Sequence, residues 1–401
     1  MSGGQNQWLL PQEPFLSWEF CSAIPQRFSK DRLSVQAGRF FLARNAIYHA
    51  LGALKISAKA RVLVPAYICR AAVEPFLAYG AVVDFYEINR NCEPDFAEIE
   101  SKIGPGTEAV LALHYFGFPQ EIGKFRELCD RHQLALIEDC AHVLPWPSQE
   151  TTLGTFGDAV VFSWRKFLPI YDGSYLCLRS SPQSPQIQWG NEAPKFTWRV
   201  ARTLAGRALD NSTHPLARAA AKTVESAMQL GRNLRPHSLT EQTASLDAND
   251  PSFDLGMVNQ PMSRISHWIF RHSDIQAIVQ RRRENYLYLA SLLRSIDGIT
   301  PLHENLPPDV CPWIFPVFCD QLPNAHFLLR RLGIPAAAWD FVKPPLSDLQ
   351  SFPSAAFLYE NLVFLPIHQN LTRQSLDRVA AAVQKMRHEQ PIAPSGVCAI
   401  A

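Results

Sequence analysis

Leu134-Ala-Leu-Ile-Glu-Asp-Cys-Ala-His142 is an apolar run that ends in two carboxylates and, three residues after the second, a histidine. A short unbroken apolar segment reads as a strand buried on both faces, as in a parallel sheet. Similar runs occur at Arg61–Pro65, Ala81–Tyr86, Ala109–His114 and Ala159–Ser163. Helical spacing separates several of them. Ala46, Ile47, Ala50, Leu51 and Leu54 share one helix face, Ala71–Tyr79 closes on Gly80, and Gln120–His132 repeats the pattern. Strands alternating with helices predict an α/β fold whose large domain is a mostly parallel, doubly wound sheet.

Outward from this core the pattern changes. Residues 1–35, rich in Pro, Gln and aromatics, read as an irregular arm, and 36–180 as the large domain. Residues 181–251 open on Ser-Ser-Pro-Gln-Ser-Pro and turn helical and basic, with eight Lys or Arg between Lys195 and Arg235 against Asp210 and Glu225. Two helices are expected in this insert. The second is capped by Ser212 or Thr213 and places Leu216, Ala220, Val224, Ala227 and Leu230 on one face. Residues 252–395 read as a smaller α/β domain. It should hold a long helix around Ser273–Ser295, strands at Trp313–Cys319 and Leu362–Leu365, a helix ending at Gly333 and a last helix at Arg373–Arg387.

A chain of 401 residues with 47% hydrophobic and 19% charged residues buries a sizeable core. A net charge of +1 gives no electrostatic case for nucleic acid or a membrane surface. Nine cysteines without regular spacing argue against a zinc cluster or disulfide framework, so no metal is expected and the setting reads as cytoplasmic. No apolar run reaches membrane-spanning length, and the first residues lack a secretory pattern.

Three pieces could do chemistry. Ligands of parallel sheets sit outside the carboxyl ends of strands, so Asp139 and His142 face a ligand there, the alternative being that Glu138 and Asp139 cap the next helix. Lys166 comes three residues after the strand ending at Ser163 and stands among large apolar side chains. Desolvation there disfavours an ammonium, as an amine nucleophile requires; the alternative is a surface lysine lying along the core edge. In Arg39-Phe-Phe-Leu-Ala-Arg-Asn-Ala-Ile47, a helix start near Arg44 offers free N–H groups and a guanidinium to an anion. His114 and Tyr115 are either substrate-facing or core. His368 reads as a surface-loop residue, Trp313 and Trp339 as core, and the basic insert as a solvated outer face.

Together these pieces resemble the DegT/StrS-type PLP-dependent sugar aminotransferases, which have the aspartate aminotransferase (fold type I) architecture. Val64-Pro-Ala-Tyr67, Gly80-Ala-Val-Val-Asp-Phe, His114-Tyr-Phe-Gly117, Ile137–His142, Gly154-Thr-Phe-Gly-Asp158 and Phe162-Ser163 with Lys166 keep the family order. The resemblance resumes more loosely from Asn259 to Leu371.

It implies that Lys166 is the Schiff-base lysine for pyridoxal 5'-phosphate and Asp139 the carboxylate at the pyridine nitrogen. His142 would lie beside the cofactor's phenolic oxygen, and Tyr67, near the stacking position, is the candidate for stacking on the ring. Ser163 with Arg44 and Asn45 would hold the phosphate, which Asn259 would reach across a homodimer interface. The implied reaction moves an amino group from an amino-acid donor to a keto-sugar, nucleotide-linked, in polysaccharide or secondary-metabolite synthesis. Two rivals share the fold: a PLP-dependent dehydratase or lyase, which a histidine at the position of Lys166 would favour, and a degenerate regulatory or assembly homologue. Three departures from the family pattern stand out: only Trp164 and Arg165 between Ser163 and Lys166, Ser174 after Asp172-Gly173, and Cys69 at the stacking position.

Overall fold

The computed structural model describes residues 8–25, 35–144, 153–179, 187–192, 194–211, 252–339 and 349–389. Seven strands build the main sheet: β1 (Val35–Phe40), β2 (Arg61–Pro65), β3 (Val82–Tyr86), β4 (Thr107–Leu113), β5 (Ala135–Cys140), β6 (Ala159–Phe162) and β7 (Ser174–Leu178). Their order is β1-β7-β6-β5-β4-β2-β3, with β3, β2, β4, β5 and β6 parallel and β7 pairing antiparallel with both β6 and β1 at one end. Helices α1 (Ala43–Ala53), α2 (Arg70–Tyr79), α3 (Phe96–Lys102) and α4 (Ile122–His132) alternate with them. The unbroken burial of β5 and β6 is what cover on both faces requires. Local signals set the joints. Gly80 ends α2 in the left-handed region (φ 95), and the Asp95 carboxylate caps α3 by accepting from the N–H groups of Ala97 and Glu98.

β1 lies in a stretch where no strand is expected from the sequence. It is a sheet-edge strand whose one strand partner is β7, with a single bridge from Phe40 to Pro261 on its other side, and a register irregularity between Gln36 and Gly38 breaks its alternation. Beyond it, α5 (Pro194–Asp210) buries Phe196, Val200 and Leu204 and turns Arg199 and Arg202 outward. The second insert helix lies outside the described residues.

A second sheet, β8 (Ile299–Pro301), β9 (Phe315–Cys319) and β10 (Leu362–Leu365), runs β10-β9-β8 and is antiparallel throughout. The same part of the chain carries α6 (Arg264–Arg271), which packs on α5, and α7 (Ile275–Leu293), α8 (His326–Arg331), α9 (Pro353–Asn361) and α10 (Arg373–Glu389). No described helix is long and apolar enough to cross a membrane.

Candidate active site

The two acids at the end of β5 have different tasks because successive side chains of a strand point to opposite faces. Glu138 faces the 154–157 loop. Its carboxylate accepts from Gly154 N (2.6 Å), Phe156 N (3.1 Å), Gly157 N (2.8 Å) and His114 Nε2 (3.1 Å), all away from solvent. His114 is therefore a core partner and not a substrate contact. Burial pushes the Glu138 carboxyl up, but His114 and the loop amides outweigh it and leave it below the usual 4.5. Its contribution to stability is thus present above the unfolded value and lost as pH falls through the lower folded one. Glu138→Ala, which strands these donors and the Cys140 thiol, is expected to cost about 3–5 kcal/mol in a urea titration at pH 7. A loss under about 1 kcal/mol would contradict this role.

Asp139 faces the other way, into a cavity of about 230 Å³ that Arg44, Cys69, His142, Ser163 and Lys166 also line. Its Oδ1 accepts from Ala141 N at 2.8 Å. Burial raises its pKa, and the nearby Lys166 charge and the Ala141 amide pull it back. Lys166 closes a 3-10 turn, Trp164–Lys166, that begins directly after Ser163 at the end of β6. Its ammonium lies 4.5 Å from the centre of the Trp313 ring. Burial lowers the Lys166 pKa to about 8, against the opposing influence of Cys69 and Asp139. The amine is therefore far easier to deprotonate than an exposed lysine, as the desolvation argument from sequence requires.

His142 is packed between rings, 4.3 Å from Trp313 and 5.9 Å from Phe116. Burial and the Lys166 charge hold its pKa well below 6.5, so the imidazole is neutral. Its Nδ1 accepts from Phe116 N at 3.2 Å, which leaves the proton on Nε2 as a donor. At the far end Ala43 and Arg44 begin α1, whose N-cap, Leu42, has no side-chain acceptor for the first-turn amides. This end of the cavity suits an anion.

Three of the residues singled out from sequence do not line the cavity. Tyr67 is fully buried in a ring cluster, 4.7 Å from Trp339 and 5.9 Å from Tyr115, so it supports the wall from behind. Cys69, two residues on, occupies the cavity wall. Asn45 points away and donates to the carbonyls of Met257 (2.5 Å) and Val258 (3.2 Å), fastening α1 to that loop. Asn259 interacts within the chain with His49 of α1 and accepts from Gly190 N at 3.0 Å through its carbonyl.

Trp339 is buried in the core and Trp313 packs against it, as expected, and both also line this cavity and a second one beside it. His368, expected in a surface loop, is buried in the wall of the second. Arg165 joins both cavities. Position immediately before the lysine was the available signal for Arg165. Nothing local marks a tryptophan as cavity-facing.

The departures after the lysine also find a physical reason. Close approach falls on Gly173, where φ is +138 and an added Cβ would meet Met262 Cε at 2.7 Å. Ser174 is accommodated because its hydroxyl donates to Phe162 O at 2.6 Å. Gly173→Ala is expected to lower stability by about 1–3 kcal/mol, whereas Ser174→Gly should lose only its hydrogen bond, about 1 kcal/mol. Thermal melts of both variants rank the two sites, and the reverse order would refute this account.

Residues 43–173 match the DegT/DnrJ/EryC1/StrS aminotransferase family, and the resemblance read from the sequence is borne out over that segment. GDP-perosamine synthase of Vibrio cholerae is 36% identical over 120 residues, 30% of this chain and 33% of the relative. The UDP-N-acetyl-3-dehydro-alpha-D-glucosamine 3-aminotransferase of Acidithiobacillus ferrooxidans is 33% identical over 121 residues, again 30% and 33%. The matches thus span about a third of the length of these relatives. The fold likeness extends further. The aminotransferase TlmJ of Streptoalloteichus hindustanus superposes with a TM-score of 0.59 at 21% identity, over 88% of this chain and 86% of the other. PseC of Helicobacter pylori, an aminotransferase of pseudoaminic acid biosynthesis, gives 0.58 at 19% identity over 88% and 86%. Spr1654 of Streptococcus pneumoniae in its PLP form gives 0.60 at 14% identity over 88% and 87%. The expected fold type I architecture is the one observed.

Proposed function

We infer that this chain, with its DegT/DnrJ/EryC1/StrS segment at 43–173 on a fold type I scaffold, is a pyridoxal 5'-phosphate-dependent aminotransferase. It moves an amino group from an amino-acid donor to a keto-sugar, nucleotide-linked, in polysaccharide or secondary-metabolite synthesis. The observation that carries this reading is that Lys166 and Asp139 face one small cavity.

The donor set fits the cofactor group by group. A buried amine with a pKa near 8 suits the aldehyde, and a buried carboxylate suits a protonated ring nitrogen. A neutral imidazole with its proton on Nε2 suits the phenolic oxygen. Arg44, Ser163 and the α1 start suit the phosphate. When bound, pyridoxal phosphate supplies the electron sink that makes a proton on the donor's amino-bearing carbon removable. The chain's own groups do the rest. Lys166 Nζ would hold the cofactor covalently and, once displaced by the donor's amine, would move the proton from that carbon to the cofactor's own carbon. Asp139 would keep the ring nitrogen protonated, and Trp313, Trp339 and His142 narrow the cavity against water.

The keto-sugar rests on likeness to sugar aminotransferases. A homodimer, with Asn259 directed at the partner's cofactor, and a cytoplasmic setting belong to the same reading. So does the division at residues 181–251.

The test is direct. Purified protein with pyridoxal phosphate is expected to be yellow and to lose that colour on adding glutamate. Supplying keto-sugar nucleotides one by one then identifies the acceptor by restoring it. Protein that stays colourless with added cofactor refutes the reading.

A further inference from the structure

Three consecutive arginines, Arg281, Arg282 and Arg283, lie on α7, and helical periodicity gives them different tasks. Ile278, Val279, Arg282, Asn285, Tyr286 and Leu289 share the buried face, so of the three only Arg282 is buried. Arg281 pairs with Glu19, and Arg283 donates to the carbonyls of Pro307 and Val310. Arg282 is 1% exposed, and all of its hydrogen-bond partners are uncharged. Nε donates to Gln369 Oε1 (3.0 Å). One terminal nitrogen donates to the carbonyls of Trp313 (2.9 Å) and Pro312 (3.5 Å), the other to those of Phe167 (3.2 Å) and Lys166 (3.4 Å). Burial lowers its pKa to about 10, which leaves it charged at neutral pH. Taking a cation out of water is costly, and neutral oxygens offset less of that cost than a carboxylate does.

Those carbonyls frame the amine. Lys166 closes the turn after β6, and Trp313 carries the ring that lies 4.5 Å from its ammonium. One guanidinium therefore holds the main chain on both sides of that contact. Gln369 closes the arrangement, its Nε2 donating to Phe167 O at 2.9 Å while its Oε1 accepts from Arg282. Close to one turn along α7, Asn285 Nδ2 donates to Ile367 O (3.3 Å) and His368 O (3.0 Å), which fastens the segment carrying Gln369. Resting on the reading of Lys166 as the reacting amine, we propose that Arg282 is a positioning residue. It ties the lysine turn to Trp313, so that the amine stays against the indole and out of water.

Arg282 borders the second cavity, but all three of its nitrogens are engaged, so it acts through the main chain and not on a ligand. The shape of the group matters here. A guanidinium is a rigid planar fork whose prongs reach two chain segments at once, whereas a lysine ammonium is a single point of charge on a flexible stem. The groups facing the amine from the surrounding elements are Asp139 of β5, His142 after it, Cys69 before α2, Arg165 beside it and Arg44 of α1. Substituting Arg282 leaves every one of them in place. A change in the behaviour of Lys166 then reports the hold on its turn.

The first measurement needs no cofactor. Acetic anhydride labelling of Lys166 across pH, read by mass spectrometry, gives the midpoint at which the amine loses its proton. In wild type that midpoint should fall at about 8, where burial puts it. In Arg282→Met it should rise by about one pH unit or more, because water reaches an amine whose turn is loose. Arg282→Lys keeps the charge without the fork and should rise comparably. Gln369→Met leaves Arg282 in place and should rise by less, which keeps the test alive if the Arg282 variants do not fold. With pyridoxal phosphate loaded, Arg282→Met is expected to lower the maximal rate with glutamate roughly 10–100-fold, half-saturating glutamate changing little. Wild-type midpoints in Arg282→Met and Gln369→Met overturn the proposal. So does a midpoint restored by Arg282→Lys, since charge acting at a distance would then be the cause. A loss confined to half-saturating glutamate overturns it too, by making Arg282 a donor-binding group. If the midpoints move as expected in a protein that never reacts with glutamate, the positioning role stands and the aminotransferase reading falls.

Discussion

Lys166→Ala is expected to lower amine transfer by at least about 10⁴-fold, the upper range for a positioned proton-transfer group, because it removes the covalent holder as well. Borohydride treatment followed by peptide mapping should place the cofactor mass on the Lys166 peptide of wild type and on no peptide of the variant. The loss would not reflect unfolding, and pH separates the two. In the cofactor-free protein the Lys166 pKa is lowered to about 8 from 10.5 by burial. The unfolded chain therefore binds this proton more tightly, and stability rises with pH between about 8 and 10.5. Below that window the fold carries the full cost of a buried cation, which alanine removes. The variant should consequently melt at or above wild type at about pH 7, with wild type gaining on it toward about pH 10. Turnover at the wild-type rate, or the cofactor mass on another lysine, would end the assignment.

The parallel half of the sheet was legible because burial on both faces leaves unbroken apolar runs, as in Leu134–Glu138 and Arg61–Pro65. β1 was not, since a bulged edge strand with one strand partner needs no such run. At the site, the candidates that line the cavity stand where a strand or turn ends: Asp139 in the last residues of β5 and His142 after it, Ser163 and Lys166 after β6. Chain position there nearly determines spatial position. Tyr67 and Cys69 show the limit. Both come after β2, and a two-residue difference decides which side chain meets the core and which the cavity. Trp313, Trp339, His368 and Glu13 reach the site from segments far from Lys166 in the chain, through contacts that no local pattern records. The domain division and the second insert helix stay expectations from composition and periodicity.

Asp139→Asn is the sharper probe of mechanism because it preserves shape. The amide occupies the same volume, and one side-chain oxygen remains to accept from Ala141 N as Oδ1 does now at 2.8 Å. Cofactor binding and colour should survive. What disappears is the negative charge that favours a proton on the ring nitrogen, and the electron sink weakens with it. Burial raises the Asp139 pKa, so the charge is not there by default; the Lys166 cation helps to hold it, and a protonated ring nitrogen adds a second. Removing it is expected to slow proton transfer by roughly 10²–10⁴-fold while glutamate affinity changes little. A cofactor analogue methylated on the ring nitrogen carries the positive charge permanently. It should restore much of the lost rate in Asp139→Ala, where the side chain leaves room, and give no gain in wild type. Rescue would locate the contribution of Asp139 in charge at that nitrogen. A variant as fast as wild type would remove Asp139 from the mechanism, and one that loses cofactor binding altogether would make it a holder and not a tuner.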